Sequence, residues 1–280
     1  MALASNPKYQ KLQTRLNELK SVVIGFSGGI DSTLLLKVSL DTLGAENVWA
    51  VTGDSESLLP EELSECETMA ADFGLDNSHY IKIKTEELQD ENYRQNPSNR
   101  CFFCKQELFT KLQEVAKEVN AAYVLDGSNA DDLDDWRPGR QAAEKLNVAS
   151  PLADAGFTKD DIRDIAKELG LPNWDKPALA CLASRIPYGS EVTAEKLAQV
   201  GDAERYLKSL GFSQLRVRHH DKMARIELLP DEMYEILTDD LNKQVVEKLK
   251  QIGFTYVTID LEGYRSGSMN EILYKDSKDE

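Results

Sequence analysis

The sequence predicts an α/β protein, in which a domain with a parallel sheet precedes a smaller α+β C-terminal domain. Three patterns indicate this class: short apolar runs alternate with helix-patterned segments, a glycine-rich turn follows the first run, and polar turns follow later runs. Strands that alternate with helices form βαβ units, and the strands of such units lie parallel. We expect the first domain to cover residues 1–188 and the second to cover residues 189–280.

Apolar spacing places the elements of the first domain. The chain opens with an amphipathic helix, whose apolar residues at helical spacing are Tyr9, Leu12, Leu16 and Leu19. Four apolar runs predict the strands Val22–Phe26, Val48–Val51, Tyr80–Ile83 and Tyr123–Asp126. Helical patterns cover Glu61–Phe73, Glu107–Val119 and, after a capping-box-like pair of Thr158 and Asp161, the residues up to Leu169.

The second domain is predicted from a helix and short alternating runs. The helix covers about Thr193–Leu210, and the strands are Leu215–His219, Ala224–Leu228 and a run near Tyr256–Leu261. Two helical stretches lie before the last strand. This mixture of helices and strands predicts an α+β domain.

Charge and hydropathy exclude several classes of partner. The formal net charge of −16 opposes non-specific attraction to nucleic acid and to anionic membrane surfaces. No apolar run approaches the length of a membrane span, and the first residues lack the apolar core of a signal peptide. We therefore expect a cytoplasmic protein with neither a nucleic-acid nor a membrane partner.

The turn after the first strand carries the most informative motif, Ser27-Gly28-Gly29-Ile30-Asp31-Ser32. Two adjacent glycines let backbone N–H groups turn inward, and the helix that follows directs its N-terminal N–H groups and dipole toward the same hollow. The serines add hydroxyl donors, and the aspartate can bind Mg²⁺ beside a phosphate. No Walker A sequence occurs, and the simpler alternative is an ordinary glycine turn.

Polar turns at the carboxyl ends of parallel strands form ligand sites. In this chain those turns are at Ser27, Gly53-Asp54-Ser55 and Asp126-Gly127, and we expect them to converge on one nucleotide. Asp126 either binds the nucleotide or a metal ion, or it caps the turn that follows it. Both roles stay open.

The spacing of the cysteines is compatible with more than one kind of site. Cys66 lies in a helical pattern with apolar neighbours, so we expect a buried, inert side chain. Cys101 and Cys104 form a C-x-x-C, and with Cys181 they lie in polar, turn-rich surroundings. A [4Fe–4S] cluster with one open iron, a zinc site and a redox dithiol are all compatible with these three residues.

Arginines alternate with apolar residues along two predicted strands. Arg216 and Arg218 therefore lie on one face of the first strand, and Arg225 and Glu227 share one face of the next. Two adjacent guanidinium groups are suited to a phosphate. The alternative is a cross-strand ion pair with Glu227 on a solvated face.

These pieces together resemble the LarE-type sulfur transferases of the N-type ATP pyrophosphatase, or PP-loop, superfamily, whose domain is adenine nucleotide α-hydrolase-like. The resemblance covers nearly the whole chain. The motifs that carry it are Phe26–Thr33, Leu125–Gly127, Asp135-Trp136-Arg137-Pro138-Gly139, Ser184–Gly189, Arg216–Arg218, Arg225–Leu228 and Tyr264–Asn270.

The resemblance implies a two-step reaction in nickel-pincer nucleotide biosynthesis, for the maturation of lactate racemase. A carboxylate of pyridinium-3,5-biscarboxylic acid mononucleotide attacks the α phosphate of ATP and releases pyrophosphate. Sulfur then displaces AMP, which leaves a thiocarboxylate. In one subgroup an enzyme cysteine gives its sulfur and ends as dehydroalanine; in the other, three cysteines hold a [4Fe–4S] cluster that carries sulfide. A sulfide source and a homo-oligomer are implied as well.

The resemblance also assigns roles to individual residues. It implies ATP and Mg²⁺ at the glycine-rich turn, and the substrate 5′-phosphate at Arg216, Arg218 and Glu227. It also implies a polar cluster near the reacting Cys181 that contains Glu204, with Glu235 as a further candidate. Arg185, close to this cysteine in the sequence, can stabilise a carboxylate or a phosphate. The C-x-x-C favours the cluster subgroup, with ligands Cys101, Cys104 and Cys181, over sulfur donation by Cys181 itself.

Three rival functions remain. An amide-forming synthetase would use ammonia and would make the cysteines superfluous. A tRNA thiolase would need a cationic track, against which the acidic balance argues. A non-catalytic nucleotide or iron–sulfur sensor is the third, and retention of the Ser27–Ser32 motif argues against it.

Overall fold

The computed structural model of the chain describes residues 3–133, 138–177, 180–265 and 267–271. Asp135, Trp136, Arg137 and Ser266 of the motifs lie outside these residues. The strands are β1 (Val22–Gly25), β2 (Val48–Asp54), β3 (Tyr80–Lys84), β4 (Tyr123–Leu125), β5 (Arg216–His220), β6 (Met223–Glu227) and β7 (Tyr256–Ile259). The α-helices are α1 (Pro7–Leu19), α2 (Ile30–Leu43), α3 (Pro60–Asp72), α4 (Glu91–Arg94), α5 (Arg100–Glu118), α6 (Pro138–Lys145), α7 (Pro151–Ala155), α8 (Lys159–Glu168), α9 (Ala194–Ser209), α10 (Met233–Ile236) and α11 (Asp239–Ile252).

Contacts divide the chain into two units. The first contains Met1–Glu87 and Asn99–Leu179, and the second contains Leu88–Ser98 and Ala180–Glu280. The short segment Leu88–Ser98 joins the second unit because the buried Asn96 donates through Nδ2 to the carbonyls of Ile186, Pro187 and Ser190. The domain division at residue 188 stays a prediction.

The first unit contains a four-stranded sheet in the order β3-β2-β1-β4. Its pairs are all parallel, with Val22 opposite both Val48 and Tyr123. Val22, Val23 and Ile24 are fully buried, because β1 is central and helices cover both faces. The predicted α/β class is confirmed.

Helix α5 differs from its prediction. It begins at Arg100 rather than Glu107, so Cys101 and Cys104 lie in a helix and not in turn-rich surroundings. The prediction was wrong because the side chain of Phe102 packs against the apolar cluster beneath α5. This contact extends the apolar face of the helix toward its N-terminus, in the direction of Asn96-Pro97.

The second unit contains a mixed sheet in the order β5-β6-β7, as the predicted α+β class requires. Strands β5 and β6 are antiparallel, with Arg216 opposite Glu227 and Arg218 opposite Arg225. Strand β7 adds parallel to β6. One face of the sheet packs on α9 and α11 through residues such as Val217 and Leu249.

Among the helices of the described residues, none combines the length and the hydropathy that a transmembrane segment requires.

Candidate active site

The glycine-rich turn after β1 forms a backbone hollow at the start of α2. Gly28 has a φ of +68°, which favours glycine, and a Cβ there would lie 2.9 Å from the Sγ of Cys66. Within the part of the chain that the structure describes, the backbone N–H groups of residues 28–32 donate to no acceptor. Such N–H groups at a helix N-terminus can bind a phosphate.

The two serines of the turn differ in their surroundings. The buried Ser32 hydroxyl donates to the Gly29 carbonyl at 3.0 Å and accepts from the Ser27 N–H at 3.3 Å, so it holds the turn closed. The Ser27 side chain is exposed and lies 3.3 Å from Ser32, Oγ to Oγ. Ser27 is thus the serine whose hydroxyl is accessible to a ligand.

Asp31, in the first turn of α2, has two partners from distant parts of the first unit. Its Oδ1 accepts from Asn129 Nδ2 at 3.1 Å, and its Oδ2 lies 2.5 Å from Lys159 Nζ. Lys159 was not predicted, because it is far away in sequence. One local sign was available: a lysine at the first residue of a helix opposes the helix dipole.

The carboxylate of Asp126, at the end of β4, accepts hydrogen bonds from side chains of the protein itself. It accepts from Ser128 Oγ at 2.7 Å and from Ser150 Oγ at 2.6 Å, and it is buried. This is the turn-stabilising role that the sequence left open. The turn approaches the phosphate hollow closely, since a Cβ at Gly127 would lie 3.0 Å from the Ser32 nitrogen.

Cys66 lies beneath the hollow in the apolar core, as predicted. Burial raises the pKa of its thiol to about 11. The side chain is therefore a neutral thiol near pH 7 and packs under the turn without reacting.

In the second unit, Arg185 holds the segment that carries Cys181. Its Nη1 donates to the carbonyls of Ala180 at 2.6 Å and Cys181 at 3.0 Å. Its Nε and Nη2 donate to the two carboxylate oxygens of Glu204 at 2.8 and 2.9 Å. Cys181 itself is exposed. Arg185 thus fixes the backbone from which an accessible thiol projects.

Glu204, on α9, is a buried carboxylate with a full set of donors. Besides Arg185, it accepts from the Val217 N–H at 3.0 Å. Burial by itself would raise the pKa of Glu204, but the Arg185 guanidinium outweighs it, so the pKa lies below the usual value. Glu204 is therefore ionised at neutral pH. Glu235, by contrast, is exposed on α10.

Arg218 and Glu227 form the cross-strand ion pair that the sequence offered as an alternative. Arg218 donates to both carboxylate oxygens, at 2.9 and 2.7 Å. Both residues are buried, so the predicted solvated face is wrong: the pair is covered by the folded second unit. Its remaining donors bind the Ser184 carbonyl and the Ser268 hydroxyl, and Arg225 donates to Glu227 at 3.1 Å. The donors of Arg218 are thus largely occupied.

Arg216 is different, although it lies on the same face of β5. Its guanidinium lies 5.2 Å from the Tyr264 ring centroid and donates to the Leu215 carbonyl at 2.7 Å. Within the described ranges it forms no ion pair with a carboxylate. Burial and then the charge of Arg185 lower its pKa. Arg216 therefore offers a half-buried cation to an anion.

The C-x-x-C lies in the first two turns of α5, in the first unit, whereas Cys181 belongs to the second. Residues three apart on a helix share a face, so Cys101 and Cys104 can bind one inorganic group. In the residues that the structure describes, no three His, Cys, Asp or Glu side chains are grouped to bind a metal ion.

Comparisons with known proteins agree with this geometry. The family model described as NAD synthase matches residues 8–107. An uncharacterised protein of Synechocystis sp. is 47% identical over 96% of this chain and 98% of its own length. In Thermococcus kodakarensis, one polypeptide of the glutamine-hydrolysing GMP synthase is 27% identical over 70% of this chain and 66% of its own length.

A relative with a named activity matches along almost its whole length. Pyridinium-3,5-bisthiocarboxylic acid mononucleotide synthase of Lactiplantibacillus plantarum is 40% identical over 96% of this chain and 95% of its own length. This confirms the resemblance that the sequence motifs carried. The chain belongs to the LarE-type family of the PP-loop superfamily, that of the pyridinium-3,5-bisthiocarboxylic acid mononucleotide synthases.

Proposed function

We propose that this chain is an ATP-dependent sulfur transferase that adenylates the carboxylates of pyridinium-3,5-biscarboxylic acid mononucleotide and converts them to thiocarboxylates. The product is the compound in the name of the Lactiplantibacillus plantarum relative. One observation supports the ATP-dependent step: the backbone N–H groups of residues 28–32 line a hollow and donate to no acceptor among the described residues.

The first unit is proposed to bind ATP and Mg²⁺. Adenylation needs positioning and charge neutralisation more than covalent help, because a substrate carboxylate oxygen itself attacks the α phosphorus and displaces pyrophosphate. The N–H groups of the hollow and the Ser27 hydroxyl would bind the pyrophosphate end. Asp31 suits Mg²⁺, which binds in many sites through one carboxylate, phosphate oxygens and water. Bound Mg²⁺ would neutralise phosphate charge.

Lys159 gains a role in this arrangement. Its Nζ now neutralises Asp31 at 2.5 Å. A cation bound to Asp31 would repel the ammonium group, which would then be available to the phosphate oxygens. Asp126 would act through the turn that it stabilises rather than by direct binding.

The second unit is proposed to bind the substrate 5′-phosphate. Arg216 is the main candidate, because an anion would compensate a guanidinium that now lies near the like charge of Arg185. Arg218 and Glu227 would support this phosphate site by fixing Ser184 and Ser268 beside it.

Cys181 is proposed as the sulfur donor or as a cluster ligand. As a donor, its Sγ would attack the acyl carbon and displace AMP. Loss of the Cα proton would then break the Cβ–Sγ bond, which leaves dehydroalanine and releases the thiocarboxylate. As a ligand with Cys101 and Cys104, Cys181 would complete a three-thiolate set for a [4Fe–4S] cluster. Such a cluster would supply a transferable sulfide.

The fit of the cysteines favours the cluster. Cys101 and Cys104 share one helical face, and since one is exposed and the other half-buried, an inorganic group can reach both thiols. Three thiolates are the donor set that such a cluster takes when one iron stays open. Cys101 and Cys104 therefore fit two of the three thiolate positions, and the cluster is the form of the proposal that we prefer.

A mass-spectrometric turnover experiment tests the proposal. Anaerobically purified protein is incubated with ATP, Mg²⁺ and the dicarboxylated mononucleotide, with and without added sulfide. We expect AMP, pyrophosphate and a thiocarboxylated product, with iron and acid-labile sulfide in the protein. Product without iron, together with a loss of the mass of H₂S from Cys181, would identify the donor route. Absence of AMP and pyrophosphate would contradict the proposed function.

An amide-forming synthetase is the second candidate, because the NAD synthase family model matches the part of the chain that contains the hollow. That match covers neither Cys181 nor the arginines of the second unit. The variant Cys181→Ala separates the two functions: unchanged AMP-coupled product formation with ammonia would favour the synthetase.

The proposal also includes a cytoplasmic homo-oligomer, supplied by an external sulfide source. Large exposed apolar side chains in the second unit, Tyr234, Tyr256 and Leu261, support self-association. Light scattering coupled to size-exclusion chromatography would measure the mass of the assembly.

A further inference from the structure

The buried side chain of Asn173 contacts the glycine-rich turn directly. It is 4% exposed, and its Nδ2 donates to the Gly28 carbonyl at 2.9 Å and to Thr33 Oγ1 at 3.0 Å. A carbonyl oxygen can only accept, so the amide nitrogen must face Gly28. The Thr33 hydroxyl lies 3.3 Å from Met69 Sδ, to which it can donate while accepting from Asn173. Nothing in the sequence pattern marked Asn173.

This contact sets the orientation of one peptide group. In a trans peptide the carbonyl and the N–H point in opposite directions, and the described chain contains no cis peptide. With the Gly28 carbonyl held by Asn173, the N–H of Gly29 must point to the opposite side, away from Asn173. A peptide between two glycines has little conformational preference of its own, so the orientation depends on its partners.

The next peptide is anchored in the same manner. The Gly29 carbonyl accepts from the Thr33 N–H at 3.0 Å and from the Ser32 hydroxyl at 3.0 Å. Those donors belong to α2 itself. For the Gly28–Gly29 peptide, the carbonyl partner that the structure records comes from outside the turn, and it is Asn173.

Asn173 lies on a segment that is itself fixed. Leu171 is buried in the core, the Lys167 ammonium lies 4.6 Å from the Trp174 ring centroid, and Lys176 forms an ion pair with Glu65. The Oδ1 of Asn173 is buried without a partner in the described part of the chain. A buried acceptor without a partner costs free energy, so folding stability alone does not explain the orientation of this side chain.

We propose that Asn173 is a positioning residue for the phosphate-binding hollow. It fixes the Gly28–Gly29 peptide so that N–H groups, and not a carbonyl oxygen, face the pyrophosphate end of ATP. The inference rests on the proposed binding of ATP at this turn. It adds a residue that touches the hollow from behind and does not touch the nucleotide.

The variant Asn173→Asp tests the inference at constant side-chain size. A carboxylate would repel the Gly28 carbonyl and favour rotation of the peptide. Equilibrium binding of inorganic pyrophosphate, ATP and adenosine to the full chain is measured by calorimetry, with Mg²⁺ held constant. We expect affinity for pyrophosphate and ATP to fall about tenfold or more, and affinity for adenosine to stay within about twofold.

The pH dependence supplies a readout that a merely structural role would not change. Once protonated, the carboxyl group that Asn173→Asp introduces can donate to the Gly28 carbonyl. The loss of affinity for pyrophosphate in Asn173→Asp, relative to the wild-type protein, should therefore become smaller as the pH falls from about 8 to about 5.5. Asn173→Ala removes the donor without adding charge. Its loss of affinity for pyrophosphate should be smaller than that of Asn173→Asp and should not depend on pH. The control is Asn77→Asp, which makes the same charge change in an exposed turn and should bind like wild type.

The outcomes separate this inference from the proposed function. A wild-type protein that binds neither pyrophosphate nor ATP would overturn both. Wild-type affinity for pyrophosphate in both Asn173 variants would overturn the positioning role alone. Equal losses for adenosine and pyrophosphate would show that the whole site had collapsed, and would also contradict it.

Discussion

The guanidinium of Arg185 and the carboxylate of Glu204 form a buried two-point ion pair, with Nε 2.8 Å from Oε1 and Nη2 2.9 Å from Oε2. The third nitrogen of Arg185 holds the carbonyls of Ala180 and Cys181. One side chain therefore links the core of the second unit to the backbone of the exposed Cys181. The pair has a consequence for stability and another for sulfur transfer.

We expect Glu204→Gln to lower the free energy of unfolding by about 3 kcal/mol, because it leaves the buried Arg185 charge without a counter-charge. Urea denaturation followed by circular dichroism measures the change. The control Glu247→Gln, an exposed glutamate on α11, should stay within about 0.5 kcal/mol. Equal effects of the two variants would contradict the role of the ion pair.

The double variant Arg185→Met/Glu204→Leu should recover much of the stability, since apolar residues of similar volume can replace a buried ion pair. It should not recover sulfur transfer. The carbonyls of Ala180 and Cys181 would have lost their donor, and the thiol its fixed position. Comparison of unfolding with product formation in the same preparation separates the two effects.

The two arginines of β5 should respond differently to truncation. Arg216→Met removes a cation that lies near Arg185 and has no carboxylate partner in the described residues, so stability should change by less than about 1 kcal/mol. Affinity for the mononucleotide should fall about tenfold or more, as expected for loss of a charged phosphate contact. Calorimetric binding of the substrate checks this.

Arg218→Met should instead reduce stability by about 3 kcal/mol, because Glu227 is fully buried and would keep only Arg225 as a cationic partner. Urea denaturation of both variants makes the comparison. A destabilisation by Arg216→Met as large as that by Arg218→Met would count against the assignment of Arg216 to an external anion.

Two separate features require a glycine at position 28: its positive φ and the lack of space for a Cβ beside Cys66. Gly74→Ala tests the positive φ alone, because a Cβ there meets nothing within 4 Å, and it should cost about 1 kcal/mol. Gly28→Ala should cost more, since its Cβ would lie 2.9 Å from the Cys66 Sγ. The double variant Gly28→Ala/Cys66→Ala removes that clash. In a double-mutant cycle, the double variant should therefore lose less unfolding free energy than the sum of the two single variants, by about 0.5 kcal/mol or more. Additive losses would argue against the contact between Gly28 and Cys66.

Stability should fall as the pH drops below neutrality. Burial lowers the pKa of His219 in the folded protein, so below its ordinary value of about 6.5 the unfolded chain takes up a proton that the folded one does not. His220 is shifted in the same direction, also by burial. The protein should thus be less stable near pH 5.5 than near pH 7.5, by up to about 1.4 kcal/mol per histidine and pH unit.

Urea midpoints across that range check the expectation. Glu204, whose folded pKa lies below its usual value, loses its contribution only at more acidic pH, so the histidines dominate this window. His219→Gln keeps a neutral polar group opposite Gln199 and should flatten the dependence. An unchanged slope would show that His219 takes up its proton in the folded state as well.

Local patterns in the sequence were enough to predict the parallel sheet, the glycine-rich turn at the start of α2 and the family. Apolar runs of strand length, the Ser27–Ser32 motif and the Thr158 cap each depend on residues close together in the chain, and their physical meaning does not require distant partners. The predicted burial of Cys66 was confirmed for the same reason.

Only the tertiary structure showed which distant side chains complete those local features. Lys159 and Asn173 reach the turn from far along the sequence, and no local pattern showed that either of them contacts it. Alternation put Arg216 and Arg218 on one face, but it did not tell which of the two forms the ion pair with Glu227. Glu227 lies opposite Arg216, yet it pairs with the diagonal neighbour Arg218. Side-chain reach and packing, which depend on the folded positions of all these elements, left Arg216 without a carboxylate partner among the described residues.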